Sequence, residues 1–191
     1  MHKKVLALLA AAAFITPFSA QAADTYTLDP AHTTVIWEAN HFGFSNPHGL
    51  LPMVEGTVTL DEAAPANSMV DVTINTGLIS TGNPKFDDHL KTKDFFNVGE
   101  YGKATFKSTK VEVTGEKTAK VTGNLTLLGK EQPVTLDVVF NKKGEHPFTK
   151  KPTVGFSATG IVKRTLFGMN FGAPNVSDDV KITIEAEASA S

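Results

Sequence analysis

The stretch "TAKVTGNLTLLGKEQPVTLDVVFN", residues 118–141, alternates apolar and polar side chains on both sides of a short polar segment that contains Gly and Pro. Alternation with a period of two is typical of a half-buried β-strand, and a short turn between two such runs predicts an antiparallel hairpin. One face of this hairpin carries the apolar residues Ala119, Val121, Leu125, Leu127, Val134, Leu136, Val138 and Phe140. The stretch therefore predicts β-sheet in the middle of the chain.

The same period recurs throughout the rest of the chain. Alternating runs occupy residues 26–28, 34–42, 53–61, 69–75, 103–113, 153–163 and 179–188. Most connections between them are short, which favours antiparallel neighbours because a parallel pair needs a long crossover. Between Phe106 and Val111 the apolar phase shifts, which predicts a bulge near Ser108 or Thr109. The pattern predicts an all-β domain of about eight strands plus a short first one.

Only residues 84–93 have the pattern of a helix. Pro84 suits the first turn, and Thr81 or Asn83 could cap the N-terminus. Phe86 and Leu90 lie four residues apart and would share one face of this helix. We therefore predict one short helical insertion in the sheet.

An antiparallel sheet of this size must close on itself or fold over, so an up-and-down barrel competes with a two-sheet sandwich. An eight-stranded barrel is either filled by its own side chains or able to hold one small ligand. Many of the side chains expected to point inward are small, namely Ala39, Gly56, Ala104, Ala119, Ala158 and Gly160. Because small inward residues leave volume along the axis, the sequence favours a hollow barrel, although a sandwich core would use small residues too.

Residues 1–22 have the features of a secretory signal peptide. A basic "MHKK" precedes an apolar run, and Ala20 and Ala22 form the small-residue pattern of a signal peptidase site. The chain has no cysteine, so neither a lipid-anchored N-terminus nor a disulfide is expected. We predict cleavage after Ala22, a single domain over residues 23–191, and a periplasmic location.

The charge pattern excludes one class of partner. The formal net charge is −2 and charges of both signs are interspersed, without a basic block. Lysines in residues 107–120 alternate with Val and Thr, as on the solvent face of a hairpin. The sequence therefore lacks the basic surface that nucleic-acid binding requires.

The residues that could carry chemistry form no recognisable catalytic or metal-binding motif. His41 and His48 lie seven residues apart across a loop, which matches no known ligand spacing, and the Asp-Asp-His of residues 87–89 matches none either. There is no G-x-S-x-G elbow and no cysteine nucleophile. Residues 87–94 are more simply the polar face of a short helix. We predict no enzymatic activity, no catalytic cofactor and no metal.

Four segments together resemble the YceI-like family of bacterial periplasmic lipid-binding proteins. They are residues 28–49, 87–109, 123–140 and 155–169, which contain "DHLKTKDFFN", "ATFKST" and "LTLLGKEQPVTL" in the order of the family. The resemblance implies an extended lipocalin-like barrel of eight antiparallel strands. It also implies an amphiphilic ligand in the pore, with a long polyisoprenoid chain as in an isoprenoid quinone, or a similar lipid such as a fatty-acid amide. Members are secreted and some are dimeric.

Two positions depart from the family pattern. Gly102 stands where a proline is usual, which affects the start of a strand. Leu166 stands where an acidic or polar residue is common, which alters the charge near the barrel mouth.

A pore for a hydrocarbon chain needs apolar side chains with gaps between them, because its affinity comes from apolar area removed from water. The residues expected to bind the ligand in the pore and its lid are Trp37, Ala39, His41, Phe42, Phe44, Phe86, Leu90, Phe95, Phe96, Phe106, Leu125, Leu136, Phe156, Phe167 and Met169. Any one phenylalanine of this set could equally be ordinary core.

A polar head group needs a few convergent donors. The candidates are Arg164, His89, Asn40 and Asn170. Arg164 is the first choice for an anionic or carbonyl head, and its alternative is a surface ion pair. A different function, a protein-interaction or adhesion module with a filled barrel, stays open from the sequence, as do transient membrane contact and a homodimer.

Overall fold

The computed structural model of the protein describes residues 23–191. The predicted signal peptide and its cleavage after Ala22 lie outside the described residues. Within the part of the chain that is described, no helix has the length and apolar character required to cross a membrane.

Ten strand segments form one antiparallel sheet. They are β1 (Asp24–Leu28), β2 (Thr34–His41), β3 (His48–Pro52), β4 (Glu55–Leu60), β5 (Met69–Asn75), β6 (Lys103–Gly115), β7 (Thr118–Leu127), β8 (Lys130–Glu145), β9 (Pro152–Lys163) and β10 (Val176–Ala190). The α-helix is α1 (Pro84–Leu90), and 3₁₀ turns lie at Pro65–Asn67, Thr76–Leu78 and Arg164–Phe167.

The sheet closes into a barrel because β10 pairs with β9 on one side and with both β1 and β2 on the other. β1 and β2 follow one another along β10 as the two parts of one broken strand. β4 pairs with β1 and β3 pairs with β2, so β3 and β4 form a second broken strand. The ten segments thus make an eight-stranded up-and-down barrel, as predicted.

The hairpin of residues 118–141 is tighter than its sequence indicates. The turn between β7 and β8 uses only Leu128 and Gly129, with φ of 52° and 70°. Positive φ at both central residues is the geometry of a two-residue type I′ turn, which matches the right-handed twist of the strands. Lys130 is therefore already part of β8, although the sequence places it in a turn.

Two other boundaries differ from the prediction. β3 was not predicted because Leu50, Leu51 and Pro52 interrupt the alternation. The β8 strand runs on to Glu145, past a register shift between Phe140 and Lys142, where the sequence predicts a loop. A bulge lets a strand continue after the apolar phase is lost, so periodicity alone does not detect it.

The predicted bulge in β6 is confirmed. The register between β6 and β7 shifts between Ser108 and Lys110. The Ser108 hydroxyl accepts a hydrogen bond from the backbone N–H of Val70 at 2.9 Å, so a side chain replaces a ladder partner at this point. The bulge therefore leaves no unsatisfied backbone donor at Val70 of β5.

Helix α1 forms where the sequence predicts it but ends earlier, at Leu90. Pro84 occupies the first turn, and the Asn83 side chain accepts hydrogen bonds from the N–H groups of Lys85 and Phe86. The Asp87 carboxylate accepts from both the N–H and the hydroxyl of Thr81. These bonds fix the helix in the connection between β5 and β6, over one end of the barrel.

At the opposite end of the barrel, the side formed by β1, β9 and β10 is tightly packed. Tyr26, Val154 and Ala188 expose at most 1% of their surface. Lys143 of β8 lies over the Tyr26 ring, 5.8 Å from its centroid, and donates to the Glu62 carboxylate. The hydrogen bond to Glu62 and contact with Tyr26 raise the pKa of Lys143. This cation therefore ties β8 to the chain that follows β4.

Candidate ligand-binding cavity

A cavity of about 930 Å³ lies inside the barrel. Every strand segment and α1 contribute to its wall, and the wall is predominantly apolar. An engineered protein cavity of about 150 Å³ lined by apolar side chains binds one benzene molecule, so this cavity is about six times as large. It has the volume for a branched hydrocarbon chain of several isoprene units.

Inward side chains from the middle of the strands are only partly buried, although they point to the barrel axis. They are Leu125, Leu136, Val138, Phe140, Phe156, Val180, Ile182 and Ile184. Interiors that are filled by their own side chains bury such residues almost completely. Their remaining exposure faces the cavity, which therefore offers apolar surface to a ligand.

Four of the six small residues that were expected to leave space along the axis lie on the cavity wall. The four alanines Ala39, Ala104, Ala119 and Ala158 lie on the cavity wall, whereas Gly56 and Gly160 do not. A Cβ on Gly160 would lie 2.7 Å from Cδ2 of Leu136, so the space beside this glycine is taken by a neighbouring side chain. The alanines leave volume along the axis, and Gly160 instead allows Leu136 to pack close to the backbone.

Most of the residues predicted to form the pore and its lid lie on the cavity wall. They are Trp37, Ala39, His41, Phe86, Leu90, Phe95, Phe96, Phe106, Leu125, Leu136, Phe156 and Met169. At the α1 end, the rings of His89, Phe95 and Phe171 lie with centroids 5.1–5.4 Å apart and form an aromatic cluster at the mouth.

Phe42 and Phe44 lie outside the wall, contrary to the prediction. Phe42 exposes 50% of its surface and Phe44 90%. The chain reverses after β2, with Phe42 at φ 55°, so the alternation that orients Trp37 and Ala39 inward ends before these rings. Ser45 of the same loop lines the cavity in their place.

Phe167 also lies off the wall, for a different reason. It ends the 3₁₀ turn that follows β9 and exposes only 1% of its surface. The alternation of inward and outward side chains ends with β9. Phe167 therefore packs in the core beside the cavity and does not border it. The sequence placed it at the mouth by extending the strand pattern one turn too far.

Arg164 is not a surface ion pair, and four of its five N–H groups donate to the protein itself. Its Nε donates to the Ser177 carbonyl at 2.8 Å, and its Nη1 and Nη2 donate to the carbonyls of Met169, Phe171 and Val176 at 2.8–2.9 Å. Only 3% of the residue is exposed. Burial lowers the pKa of the guanidinium. Arg164 borders the cavity, but its donors hold the loop of residues 169–177 in place.

The other three head-group candidates differ in whether they border the cavity. His89 borders the cavity, with its Nε2 3.2 Å from a carboxylate oxygen of Asp94. The Asn40 side chain donates from Nδ2 to Asn46 Oδ1 and accepts at Oδ1 from the Gly43 N–H, so it stabilises the loop after β2. Asn170 is exposed and lies off the cavity wall, in the loop that follows the 3₁₀ turn of Arg164–Phe167. Of the four candidates, His89 and Arg164 border the cavity, and most donors of Arg164 already bond to backbone carbonyls.

Two features of the site were missed by the sequence analysis. The cavity continues to the far end of the barrel, where Val113, Glu116 and Lys117 of the β6–β7 hairpin line it. The continued alternation of β6 and β7 out to their turn is the signal that could have indicated this. The second feature is an unsatisfied donor, the indole N–H of Trp37.

The Trp37 Nε1 is buried and has no hydrogen-bond acceptor among the described residues. An unpaired buried donor costs about 1–3 kcal/mol relative to a paired one. The Phe86 ring lies 6.3 Å away, centroid to centroid, at an interplanar angle of 75°, and an N–H···π contact would be a weak substitute. Trp37 lines the cavity, and packing alone does not require a polar atom in its ring.

Among residues 23–191, no three His, Asp or Glu side chains come together as a metal-binding group.

The family model described as the YceI-like domain matches residues 26–188. A "UPF0312 protein" of Pseudomonas syringae pv. tomato is 37% identical over 189 residues, which is 97% of each chain. The crystal structure of Burkholderia cenocepacia BcnA is 26% identical with a TM-score of 0.75, covering 84% of this chain and 99% of that one.

A second solved structure shares the fold at low sequence identity. It is a polyisoprenoid binding domain from Saccharophagus degradans, 13% identical with a TM-score of 0.67, covering 90% of this chain and 100% of that one. The match over residues 26–188 and the 37% identity across the whole length carry the assignment. The chain therefore belongs to the YceI-like family.

Proposed function

We propose that the protein binds one long-chain amphiphilic lipid in the barrel cavity and carries it in the periplasm. The observation that carries the proposal is the cavity of about 930 Å³, whose wall consists predominantly of Val, Leu, Ile, Ala and Phe side chains. A wall of this kind favours hydrocarbon and gives a charged or strongly hydrated ligand nothing to replace its lost water. The role involves binding and release, without catalysis.

The energetics of burial fit a chain lipid. Each buried methylene contributes about 0.8 kcal/mol, and part of this is lost because the chain is ordered on binding. Three or four isoprene units would bury enough surface for tight binding. The ligand class we propose is therefore a polyisoprenoid such as an isoprenoid quinone, or a fatty-acid amide, and the domain from Saccharophagus degradans described as polyisoprenoid binding supports the first of these.

Exchange with a membrane is part of the proposed role. Phe42 and Phe44 are exposed on the rim next to the mouth, where the N–H of Phe42 donates to the Asn175 carbonyl at 2.9 Å. Phe171, which borders the cavity, is 48% exposed on the neighbouring loop. Exposed aromatic side chains suit the interfacial layer of a bilayer, so we propose transient contact through this rim.

We propose that a single chain is sufficient for binding. The wall of the cavity is built from a single chain, and each of its strand segments contributes. A homodimer, which the family resemblance allows, would therefore change the surroundings of the mouth and leave the cavity itself complete. Titrations of uptake should consequently give one lipid per chain at any protein concentration.

The competing function, an interaction or adhesion module, assumed a barrel filled by its own side chains. The cavity contradicts that assumption. The interaction module therefore has no specific observation in its favour.

Uptake of a defined probe tests the proposal. Protein freed of lipid by organic extraction and refolding is titrated with solanesol or with ubiquinone-10, and complexes are counted by native mass spectrometry. Leu136→Glu places a charge in the cavity wall, whereas Thr135→Glu places the same charge on the exposed outer face. We expect one probe per chain in the wild type and in Thr135→Glu, and none in Leu136→Glu. Equal uptake by the two variants, or none by the wild type, would refute the proposal.

A further inference from the structure

We infer that the indole N–H of Trp37 is the donor that recognises a neutral carbonyl oxygen at the polar end of the bound lipid. This inference rests on the proposed function and makes its ligand class narrower. Trp37 lies on β2, borders the cavity and exposes only 8% of its surface. Among residues 23–191, its Nε1 is the only buried side-chain nitrogen or oxygen without a hydrogen-bond partner.

The unpartnered donor has no evident purpose in the protein alone. A phenylalanine would supply an aromatic ring at the same place without a polar atom to satisfy. In native proteins nearly all buried polar side-chain atoms have a hydrogen-bond partner. An exception therefore needs an explanation, and a functional role is one of them. An acceptor on the ligand would complete the hydrogen bonding of Trp37 in the complex.

The indole occupies a defined place between the barrel wall and α1. Its Cε2 and Cζ2 atoms lie against Gly49 of β3, where an added Cβ would be 2.9 and 2.8 Å away. The Phe86 ring of α1 packs edge-on to it. A chain lying along the barrel axis with its polar end toward α1 would bring that end to Trp37. Because Nε1 has less than 1 Å² of accessible surface, the inferred hydrogen bond requires a local rearrangement that opens the indole N–H to the cavity.

The other polar groups at this end are already committed. Arg164, the buried cation among the described residues, donates to four backbone carbonyls. Asn40 bonds within its own loop, and His89 contacts Asp94. At this end the buried wall therefore offers one unpaired neutral donor and no cation without protein partners, whereas Lys117 borders the cavity at the far end of the barrel.

A single neutral donor selects a particular chemistry. A phosphate or diphosphate head needs several charge-assisted hydrogen bonds to replace its hydration, and the buried wall does not supply them. A ketone, quinone, ester or amide carbonyl needs one good donor and loses much less on desolvation. The structure therefore favours a chain lipid with a neutral carbonyl over a polyprenyl phosphate.

A matched pair of probes isolates this hydrogen bond. Farnesylacetone carries one ketone, and its partner probe is the hydrocarbon in which a methylene replaces the carbonyl. We expect the wild type to bind the ketone about 5- to 10-fold more tightly than the hydrocarbon. Trp37→Phe should bind both with equal affinity. Phe156→Leu, which changes the wall but keeps the indole, should weaken both probes and preserve their ratio.

A spectroscopic measurement reports on the donor directly in the unaltered protein. The chain contains one tryptophan, so its ¹H–¹⁵N spectrum contains one indole resonance. We expect this resonance to move downfield with the ketone and not with the hydrocarbon. An indole resonance at the same position in both complexes, or a ketone preference that survives in Trp37→Phe, would overturn the inference. Equal binding of both probes by the wild type would also overturn it, whereas binding of neither probe would refute the proposed function itself.

Discussion

The indole of Trp37 and the backbone of Gly49 are in direct contact across the β2–β3 pair. They are register partners, and a Cβ on Gly49 would lie 2.8 Å from Cζ2 of Trp37. The same Cβ would lie 2.8 Å from the Ser80 carbonyl oxygen, which belongs to the chain leading to α1. The absence of a side chain on Gly49 thus leaves room for the Trp37 indole on the cavity wall.

Gly49→Ala should therefore destabilise the protein and move the indole. We expect a loss of about 1–3 kcal/mol in the free energy of unfolding, because the methyl group meets backbone on one side and the ring on the other. Urea denaturation and the fluorescence maximum of the single tryptophan measure the two effects. Gly99→Ala is the control, since a Cβ there meets nothing within 4 Å. Equal stability of the two variants would contradict this account of the contact.

Filling the cavity should abolish lipid uptake without harming the fold. Ala158 lies on the wall, whereas Thr159 beside it is exposed on the outside. In Ala158→Phe the added ring should occupy space that the ligand needs, so we expect at least about a tenfold loss of affinity for ubiquinone-10 and an unchanged or higher Tm. Thr159→Phe should retain uptake. A large fall in Tm for Ala158→Phe would show that the interior has no room for the ring.

Arg164 should govern stability and not the choice of head group. Lysine cannot reach four carbonyl oxygens, so Arg164→Lys should cost about 3 kcal/mol or more, measured by urea denaturation. Lys163→Gln, which removes an exposed pair with Asp179, should cost at most about 1 kcal/mol. If Arg164→Lys instead left stability intact and lowered affinity only for anionic lipids, the guanidinium would be a head-group ligand after all.

The stability of the turn between β1 and β2 should depend on pH through Asp29 and His32. The Nδ1 atom of His32 lies 2.6 Å from Oδ2 of Asp29. Their hydrogen bond raises the pKa of His32 above 6.5 and, with the Ala31 N–H, lowers the pKa of Asp29 below 3.8. The contribution of His32 is complete below pH 6.5 and is lost as pH rises through its raised pKa. The contribution of Asp29 is complete above pH 3.8 and is lost as pH falls through its lowered pKa.

We therefore expect the pair to stabilise this turn most between pH 3.8 and 6.5. An NMR titration of His32 in the wild type and in Asp29→Asn measures the effect. The His32 pKa should fall toward 6.5 in the variant. An identical titration in both proteins would show that the contact is absent in solution.

The sequence was informative where side-chain direction follows from the strand period. Trp37, Leu125, Leu136 and Phe156 lie on regular strands, and their alternation alone points them to the interior. Phe42 lies beyond the end of its strand, where the backbone conformation and not the period decides direction.

Burial and partners were beyond the reach of the sequence. Nothing local to Arg164 indicates that four carbonyls of residues 169–177 surround it, and those of Val176 and Ser177 come within reach only when β10 joins β9. The unpaired N–H of Trp37 is likewise a property of the packed barrel. The alternation of side chains along the strands was enough to predict most of the cavity wall. The hydrogen-bond partners of its polar groups could be seen only in the folded structure.

The most direct test of the account is to identify what the protein holds when it is purified, without denaturation, from its native cell. Organic extracts of the wild type and of Ala158→Phe are compared by quantitative mass spectrometry. We predict about one carbonyl-bearing chain lipid per wild-type chain and a strongly reduced amount in the variant. A wild-type extract that contains no chain lipid, or the same amount of lipid from both proteins, would contradict the claim that the barrel is a lipid-binding pore.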